Sequence, residues 1–322
     1  MNLPYRGRLA PSPTGYLHLG HARTFWIAHQ RSRASSGKLV FRNEDLDRQR
    51  SRPEFVQAMF DDLRWLGLDW DEGPDIGGLF APYSQSERRS FYLRAWRRLR
   101  DNGFIYPCTC SRKDLERAAS APHEEPQDFR SAGALACAED PSSQPGPASV
   151  EPPIDDELPY PGSCREKIAI ARNYESPASV SWRFKVPDGE VISFDDGFFG
   201  QQQFIAGIDF ADILLWRRDD TPAYQLAVVV DDEAMQITEV VRGADLLKST
   251  ARQLLLIRAL GYSTPSYFHC PLLRDQDNVR LAKRHDALSL RVLKEKGTDP
   301  AALRSRFAQN LDWNRNISTQ PG

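Results

Sequence analysis

Apolar residues recur at helical spacing in several stretches of the chain and fall into short runs between them. From Pro53, the residues Phe55, Met59, Leu63 and Leu66 stand three or four apart. Proline suits the first helical turn and Gly67 supplies a stop, so this stretch predicts an amphipathic helix. A second helix is expected from His18 to about Ala34, which holds no proline or glycine after Gly20. A third, capped by Ser86, carries Tyr92, Trp96 and Leu99 and closes at Gly103. A fourth runs from about Leu246 to Leu260 and stops at Gly261. Between them, a short strand ends near Leu9 at the turn-rich Pro11-Ser12-Pro13-Thr14-Gly15, and Lys38 to Arg42 predicts another strand. Ser179 to Phe199 predicts strands and turns, with alternation in Val191-Ile192-Ser193-Phe194. The continuous apolar run Leu226 to Val230 suits a buried strand, and Ile237 to Val241 a further one. Strands alternating with helices imply an α/β fold with a parallel sheet.

One segment breaks this pattern. Residues 111–159 hold eight of the 23 prolines, eleven acidic and four basic residues, and a single aromatic, Phe129. Apart from a short helix capped by Ser111, such a segment cannot bury enough apolar surface to offset its ordering entropy, and it is expected to be largely disordered. It also changes the meaning of the charge. The whole chain of 322 residues has a formal charge of −2, which argues against a nucleic-acid partner. The segment alone carries −7, so the remainder is +5 and mildly basic.

The rest of the composition narrows the setting. A length of 322 residues allows about two domains and an ample core. No stretch approaches a membrane span, and Met1 to Gly15 lacks the apolar core of a secretory signal, so a cytoplasmic protein without membrane contact is expected. Five cysteines, an odd number, favour a reducing compartment with metal-bound or inert thiols.

Two clusters carry candidate chemistry. His18-Leu19-Gly20-His21 places two histidines one turn apart at the start of a helix, with Gly20 allowing a nucleotide close to the backbone. Imidazoles there can donate to phosphate oxygens, aided by the helix dipole. The same spacing alone would suit a metal pair or a solvated face equally well. Arg280-Leu281-Ala282-Lys283-Arg284 is a basic cluster in a loop, which alone reads as a solvated surface.

Taken together with their flanks, these motifs resemble the class I aminoacyl-tRNA synthetases of the glutamate branch. His18 to His21 is similar to the first signature of that family, and Arg280 to Arg284 to a diverged second signature, with Arg280 where lysine is usual and Ala282 where serine is usual. The segments Arg8 to Gly15, Arg42 to Asp47, Tyr224 to Asp232 and Val241 to Leu246 follow in the family's order. The resemblance implies a Rossmann-like parallel-sheet catalytic domain with a smaller inserted α+β zinc-containing subdomain and a short helical C-terminal segment. The first half of the catalytic domain would be residues 1–107, the insert 108–200, the second half 201–268, and the second-signature loop with the helical end 269–322.

The resemblance also implies a reaction. Glutamate would attack the α-phosphate of ATP to give a glutamyl-adenylate, with Mg²⁺ bridging phosphate oxygens. His18, His21 and Lys283 would be catalytic, and His18, Gly20, His21 and Lys283 would hold ATP. Arg8, Leu9, Ala10, Pro11 and Ser12, with Glu44, Tyr224 and Arg242, would line the glutamate pocket. Guanidinium forks suit an anionic side chain, and Glu44 suits the substrate ammonium.

For a metal, Cys108-Thr109-Cys110 is a C-x-C pair, and Cys164 adds a third thiol. Ligand chemistry alone nominates Cys137 as the fourth ligand. The resemblance points instead to Tyr160, giving one structural Zn²⁺ on Cys108, Cys110, Tyr160 and Cys164. After Lys283 only 39 residues follow, too few for the large helical anticodon-binding region of the full-length ligases. In this the chain resembles the truncated glutamyl-queuosine members of the branch, which activate glutamate without tRNA and load it onto queuosine in the anticodon loop of tRNA(Asp). A monomer is expected. Two other readings stay open at this point: a minimal glutamyl-tRNA(Glu) synthetase, and a catalytically weak synthetase-like RNA-binding module.

Overall fold

The structure, a computed structural model, describes residues 4–111, 113–115, 160–273, 289–309 and 313. Cys137, the second signature with Lys283, and nearly all of the acidic segment lie outside the described residues.

The expected parallel sheet is present. β1 (Arg6–Leu9) pairs in parallel with β2 (Lys38–Phe41), Arg6 opposite Lys38 and Leu9 opposite Phe41. The link between them is α1 (Leu19–Ala34), which packs on both strands. Later in the chain, β8 (Glu239–Gly243) and β9 (Ser266–Cys270) pair in parallel, with Gly243 opposite Cys270. β9 also meets β5 (Val191–Asp196) in parallel at Asp196 and Tyr267, and β5 forms a hairpin with β6 (Gly200–Ile205). β1 lies against β8, where the Thr238 amide donates to Arg6 O at 2.9 Å and the Arg6 amide to Thr238 Oγ1 at 2.8 Å. Farther along the two strands, Arg8 Nη1 donates to Val241 O at 2.8 Å, supplying the donor that a continuing backbone ladder would.

A second, smaller sheet is antiparallel: β3 (Ile105–Cys108), β4 (Ser181–Phe184) and β7 (Ile213–Trp216) in the order β3-β4-β7. A 3₁₀ segment, Arg165–Asn173, packs on β3. Trp96, Trp182 and Trp216 are fully buried in the cluster joining this sheet to the helices around it. Helices α2 (Pro53–Trp65), α3 (Arg89–Asp101) and α5 (Leu247–Leu260) form where the apolar spacing puts them. α5 closes on Gly261, whose φ of +61° is open to glycine at little cost. The C-terminal segment folds as two short helices, α6 (Leu290–Glu295) on α2 and α7 (Pro300–Ala308) on α1. No helix among the described residues is long and apolar enough to cross a membrane.

Two expectations are overturned. Leu226 to Val230 is not a strand; it lies inside a helix, α4 (Tyr224–Ala234). All five residues are buried, because α4 is enclosed by α3, α5 and β7. A helix buried all round has no polar stripe, so its apolar run is indistinguishable from that of a central strand. Ser86 does not cap α3. Its amide and hydroxyl bond the Asp45 carboxylate at 2.8 and 2.7 Å, and α3 starts at Arg89 without a side-chain cap. The Ser111 cap does form, with its hydroxyl accepting from the Asp114 amide at 3.2 Å.

Candidate active site and metal centre

The carboxyl ends of β1, β2 and β8 bring Arg8, Arg42, Glu44 and Arg242 together with the face of α4 that carries Tyr224, Asp231 and Asp232. Arg42 is wholly buried and divides itself between Glu44 (3.0 Å) and Asp232 (2.6 Å). Asp232 also lies 3.6 Å from Arg8 Nε. Asp231, beneath them, accepts from Arg88 (2.6 Å), Gln85 (2.8 Å) and Tyr92 (2.9 Å). Burial raises the Glu44 and Asp231 carboxyls, against the pull of Arg42 on both.

Within this network two cations keep donors in reserve. Arg8 Nε and Arg242 Nη1 are buried and have no hydrogen-bond partner among the described residues. Burial pulls Arg8 below its ordinary range. Asp232 opposes that shift, while Arg42 and Arg242 add to it as like charges. Such a site favours an added anion. The Tyr224 phenol is raised by burial, with Arg242, Glu44, Arg8 and Asp232 all acting on it, yet the residue is 39% exposed. The ring thus stands among these charges and remains open to water. Of the segment before Glu44, Leu9 is a core side chain, and its carbonyl accepts from the Arg42 amide at 2.8 Å. Pro11 O accepts from the Glu44 amide at 3.0 Å, fixing the turn beside the pocket, and Ser12 is exposed.

Arg242 is held by a neighbour that the sequence did not single out. Its Nε donates to His269 Nε2 at 3.1 Å, and His269 Nδ1 lies 2.6 Å from Asp196. Burial holds this imidazole down at about 4, although the hydrogen bond to Asp196 works the other way and Arg242 and Arg8 work with burial. An unfolded histidine titrates near 6.5, so as pH falls the unfolded chain takes up the proton first. Stability from this group is intact above about pH 6.5 and is lost progressively down to about pH 4. Between pH 7 and pH 5 the loss is about 2 kcal/mol. Urea titrations at the two pH values should show that loss in the native chain and a smaller one in His269→Gln; equal losses would refute it.

The segment expected to meet a nucleotide lies at the start of α1. His18 is the N-cap, and its Nδ1 accepts from the Gly20 amide at 3.1 Å. The His18 and His21 rings stack with centroids 3.8 Å apart. A Cβ at Gly20 would stand 3.0 Å from the His18 ring, so glycine keeps the cap in place. The first turn of α1 carries no acidic residue, and the helix dipole favours an anion there. Ser289, at the far side of the second-signature segment, bridges to His18, and Leu290 donates to Leu17 O at 2.7 Å. On the near side, Pro271 O accepts from Arg23 of α1 at 3.2 Å.

The thiols expected to hold a metal are also gathered. The sulfurs of Cys108, Cys110 and Cys164 all lie within 4.8 Å of one another. Two sulfurs bound to one tetrahedral zinc stand about 3.8 Å apart, and a sulfur and an oxygen about 3.5 Å. Cys110 and Cys164 are 3.7 Å apart, and Cys108 is 3.6 Å from the Tyr160 hydroxyl. Tyr160 Oη accepts from the Cys164 amide at 2.9 Å, which aims the phenol at the cluster. Burial resists charge on Cys164, yet hydrogen bonds from Thr109, Tyr160 and Cys110 bring it down to about 6. Cys110 is pushed up to about 12, by burial first and then by Cys108. Close thiols that cannot all ionise together suit a cation between them. Cys270 stands apart, buried at the end of β9.

Asp232, Arg42, His269 and Asp196 join the site without having been nominated. Asp231 and Asp232 stand seven and eight residues after Tyr224, on one face of a helix; read as a strand, the segment hid that.

Known proteins match this arrangement along nearly the whole chain. A family model described as the catalytic domain of class I tRNA synthetases (E and Q) matches residues 5–151 and 154–315. A glutamyl-Q tRNA(Asp) synthetase from Nitratidesulfovibrio vulgaris is 46% identical over 299 residues, covering 92% of this chain and 83% of its own length. One from Symbiobacterium thermophilum is 44% identical, covering 94% of this chain and 85% of its own. The crystal structure of a glutamate tRNA ligase from Elizabethkingia meningosepticum, in complex with its amino acid, superposes with a TM-score of 0.69 at 28% identity. It covers 88% of this chain, which spans only about half of that ligase, 52%. The chain belongs to the class I glutamyl- and glutaminyl-tRNA synthetase family, and within it to the glutamyl-Q tRNA(Asp) synthetases.

Proposed function

We propose that this protein activates L-glutamate with ATP in the absence of tRNA and then transfers the glutamyl group to the queuosine base in the anticodon loop of tRNA(Asp). In the first step a glutamate α-carboxylate oxygen attacks the α-phosphorus, and the bond to the β-phosphate breaks to release pyrophosphate. In the second, a queuosine hydroxyl attacks the activated carbonyl, loses its proton and expels AMP. Little covalent chemistry falls to the protein, so its work is placement and charge stabilisation.

The observation that carries this reading is the pair of buried guanidiniums with donors in reserve, Arg8 Nε and Arg242 Nη1, beside Tyr224 and Glu44. They suit the side-chain carboxylate of glutamate, Tyr224 suits its orientation, and Glu44 suits the ammonium. The turn from Leu9 to Ser12 walls the pocket toward α1. His18, Gly20 and His21 receive the ATP phosphates, and Lys283 meets the leaving pyrophosphate. Mg²⁺ on ATP would neutralise charge on the phosphate oxygens. Cys108, Cys110, Cys164 and Tyr160 hold one structural zinc in the inserted subdomain. Because these substrates are cytoplasmic, we place the protein there, acting as a monomer.

Glutamate-dependent ATP–pyrophosphate exchange without tRNA tests the first step, and its absence would end this reading. Loading of queuosine-containing tRNA(Asp), measured beside queuosine-free tRNA(Asp) and tRNA(Glu), tests the second. Only the queuosine-containing species should be charged; charging of tRNA(Glu) would make the protein a minimal glutamyl-tRNA(Glu) synthetase instead.

A further inference from the structure

The guanidinium of Arg242 is gripped along one edge only. Nε donates to His269 Nε2 (3.1 Å) and Nη2 to Thr250 Oγ1 (2.7 Å), while Nη1 stays without a partner among the described residues. The grip depends on which ring nitrogen of His269 carries the proton, and Asp196 decides that. Asp196 Oδ1 accepts from the amides of Phe198 (3.0 Å) and Phe199 (2.9 Å), which fixes the carboxylate at the end of β5. Its Oδ2 accepts from the His269 amide (3.1 Å) and faces Nδ1 at 2.6 Å. An ionised carboxylate only accepts, so the proton sits on Nδ1 and Nε2 offers a lone pair. That lone pair accepts from Arg242 Nε and also lies 3.1 Å from the Thr250 hydroxyl, the other group that holds Arg242. Tyr267 backs both groups, its ring 6.2 Å from that of His269 and 5.6 Å from the Arg242 guanidinium carbon. Asp196 and His269 are buried, neither belongs to the substrate pocket itself, and they come from β5 and β9, 73 residues apart.

We propose that Asp196 and His269 are positioning residues for substrate selection: by fixing the imidazole tautomer they hold the inner edge of Arg242 and present its Nη1 to the anionic side chain of the amino acid. This rests on the glutamate reading above and adds to it the device that aims the cation.

Asp196→Asn is the sharpest test. The amide oxygen still serves Phe198 and Phe199 and stays 3.3 Å from the His269 amide, but its NH₂ now faces Nδ1, the imidazole proton moves to Nε2 between Thr250 and Arg242, and Arg242 Nε loses its acceptor. In ATP–pyrophosphate exchange the KM for glutamate should rise roughly 10–100-fold, the size of effect typical for an outer partner of a site residue. The KM for ATP and kcat at saturating glutamate should change by less than about threefold, because nothing at the nucleotide is touched. Ring ¹⁵N shifts of His269 should report Nδ1–H in the native protein and Nε2–H in the variant. A second pair guards against misfolding: His269→Gln puts an acceptor where Nε2 was and should keep the glutamate KM, whereas His269→Asn is too short and should raise it. A folded Asp196→Asn with an unchanged glutamate KM, or equal behaviour of the Gln and Asn variants, overturns the proposal while leaving the activity standing. A native protein without glutamate-dependent exchange overturns both.

Discussion

Arg242→Gln should raise the KM for glutamate in ATP–pyrophosphate exchange by roughly three orders of magnitude, with the KM for ATP nearly unchanged. Removing one partner of a buried, hydrogen-bonded charge pair costs about 2–5 kcal/mol, and each 1.4 kcal/mol is tenfold. The upper half of that range applies because Arg242 is 4% exposed and its Nη1 has no solvent to fall back on. Arg8 alone cannot compensate. Its Nη1 is engaged by Val241 O, and its Nε already lies 3.6 Å from the Asp232 carboxylate. Loss of activity through unfolding is separable by thermal denaturation, since α5 and β9 keep their apolar packing in the variant. A glutamate KM within tenfold of the native value would mean that the anionic end of the substrate lies elsewhere.

The largest effect on stability is expected at the thiol cluster. Metal analysis of the native protein should give one zinc per chain, and Cys110→Ser should lose most of it. Binding energies of structural zinc are on the order of 10 kcal/mol in small peptides, and part of that becomes stability here. A contribution of about 5 kcal/mol would lower the unfolding temperature by roughly 7 °C in a chain of this size. The direction follows from the ligands themselves. Hydrogen bonds draw Cys164 down while burial and Cys108 push Cys110 up, so these close thiols resist ionising together. A dication lets all of them ionise. Glutamate activation without tRNA should suffer less than tRNA loading, because the cluster shares no residue with the pocket. An unchanged zinc content in Cys110→Ser would remove Cys110 from the ligand set.

These residues differ in how far the sequence alone could reveal them. α2 and α3 were legible because each shows one apolar face, and α1 and α5 because no proline or glycine interrupts them; Gly67 and Gly261 mark two of the ends. α4 was not, because burial on all sides erased its period. His18, His21, Arg8, Glu44, Tyr224, Arg242 and the three thiols were legible only through motif order; each taken singly reads as surface or core. Asp196 and His269 left no trace. Their partnership spans 73 residues and arises only when β5 and β9 become neighbours.

Arg8 serves two ends at once. Its Nη1 stands in for a backbone donor between β1 and β8, while its Nε faces the pocket. A change there disturbs strand association together with ligand choice, so the position has little freedom to drift. Arg242 hangs mainly from the side chains of His269 and Thr250, with one longer bond from Nη2 to Leu246 O at 3.4 Å, and takes no part in joining strands. Any evolutionary or engineered route to a neutral amino acid such as glutamine will therefore run through Arg242 and its supports, with Arg8 left in place.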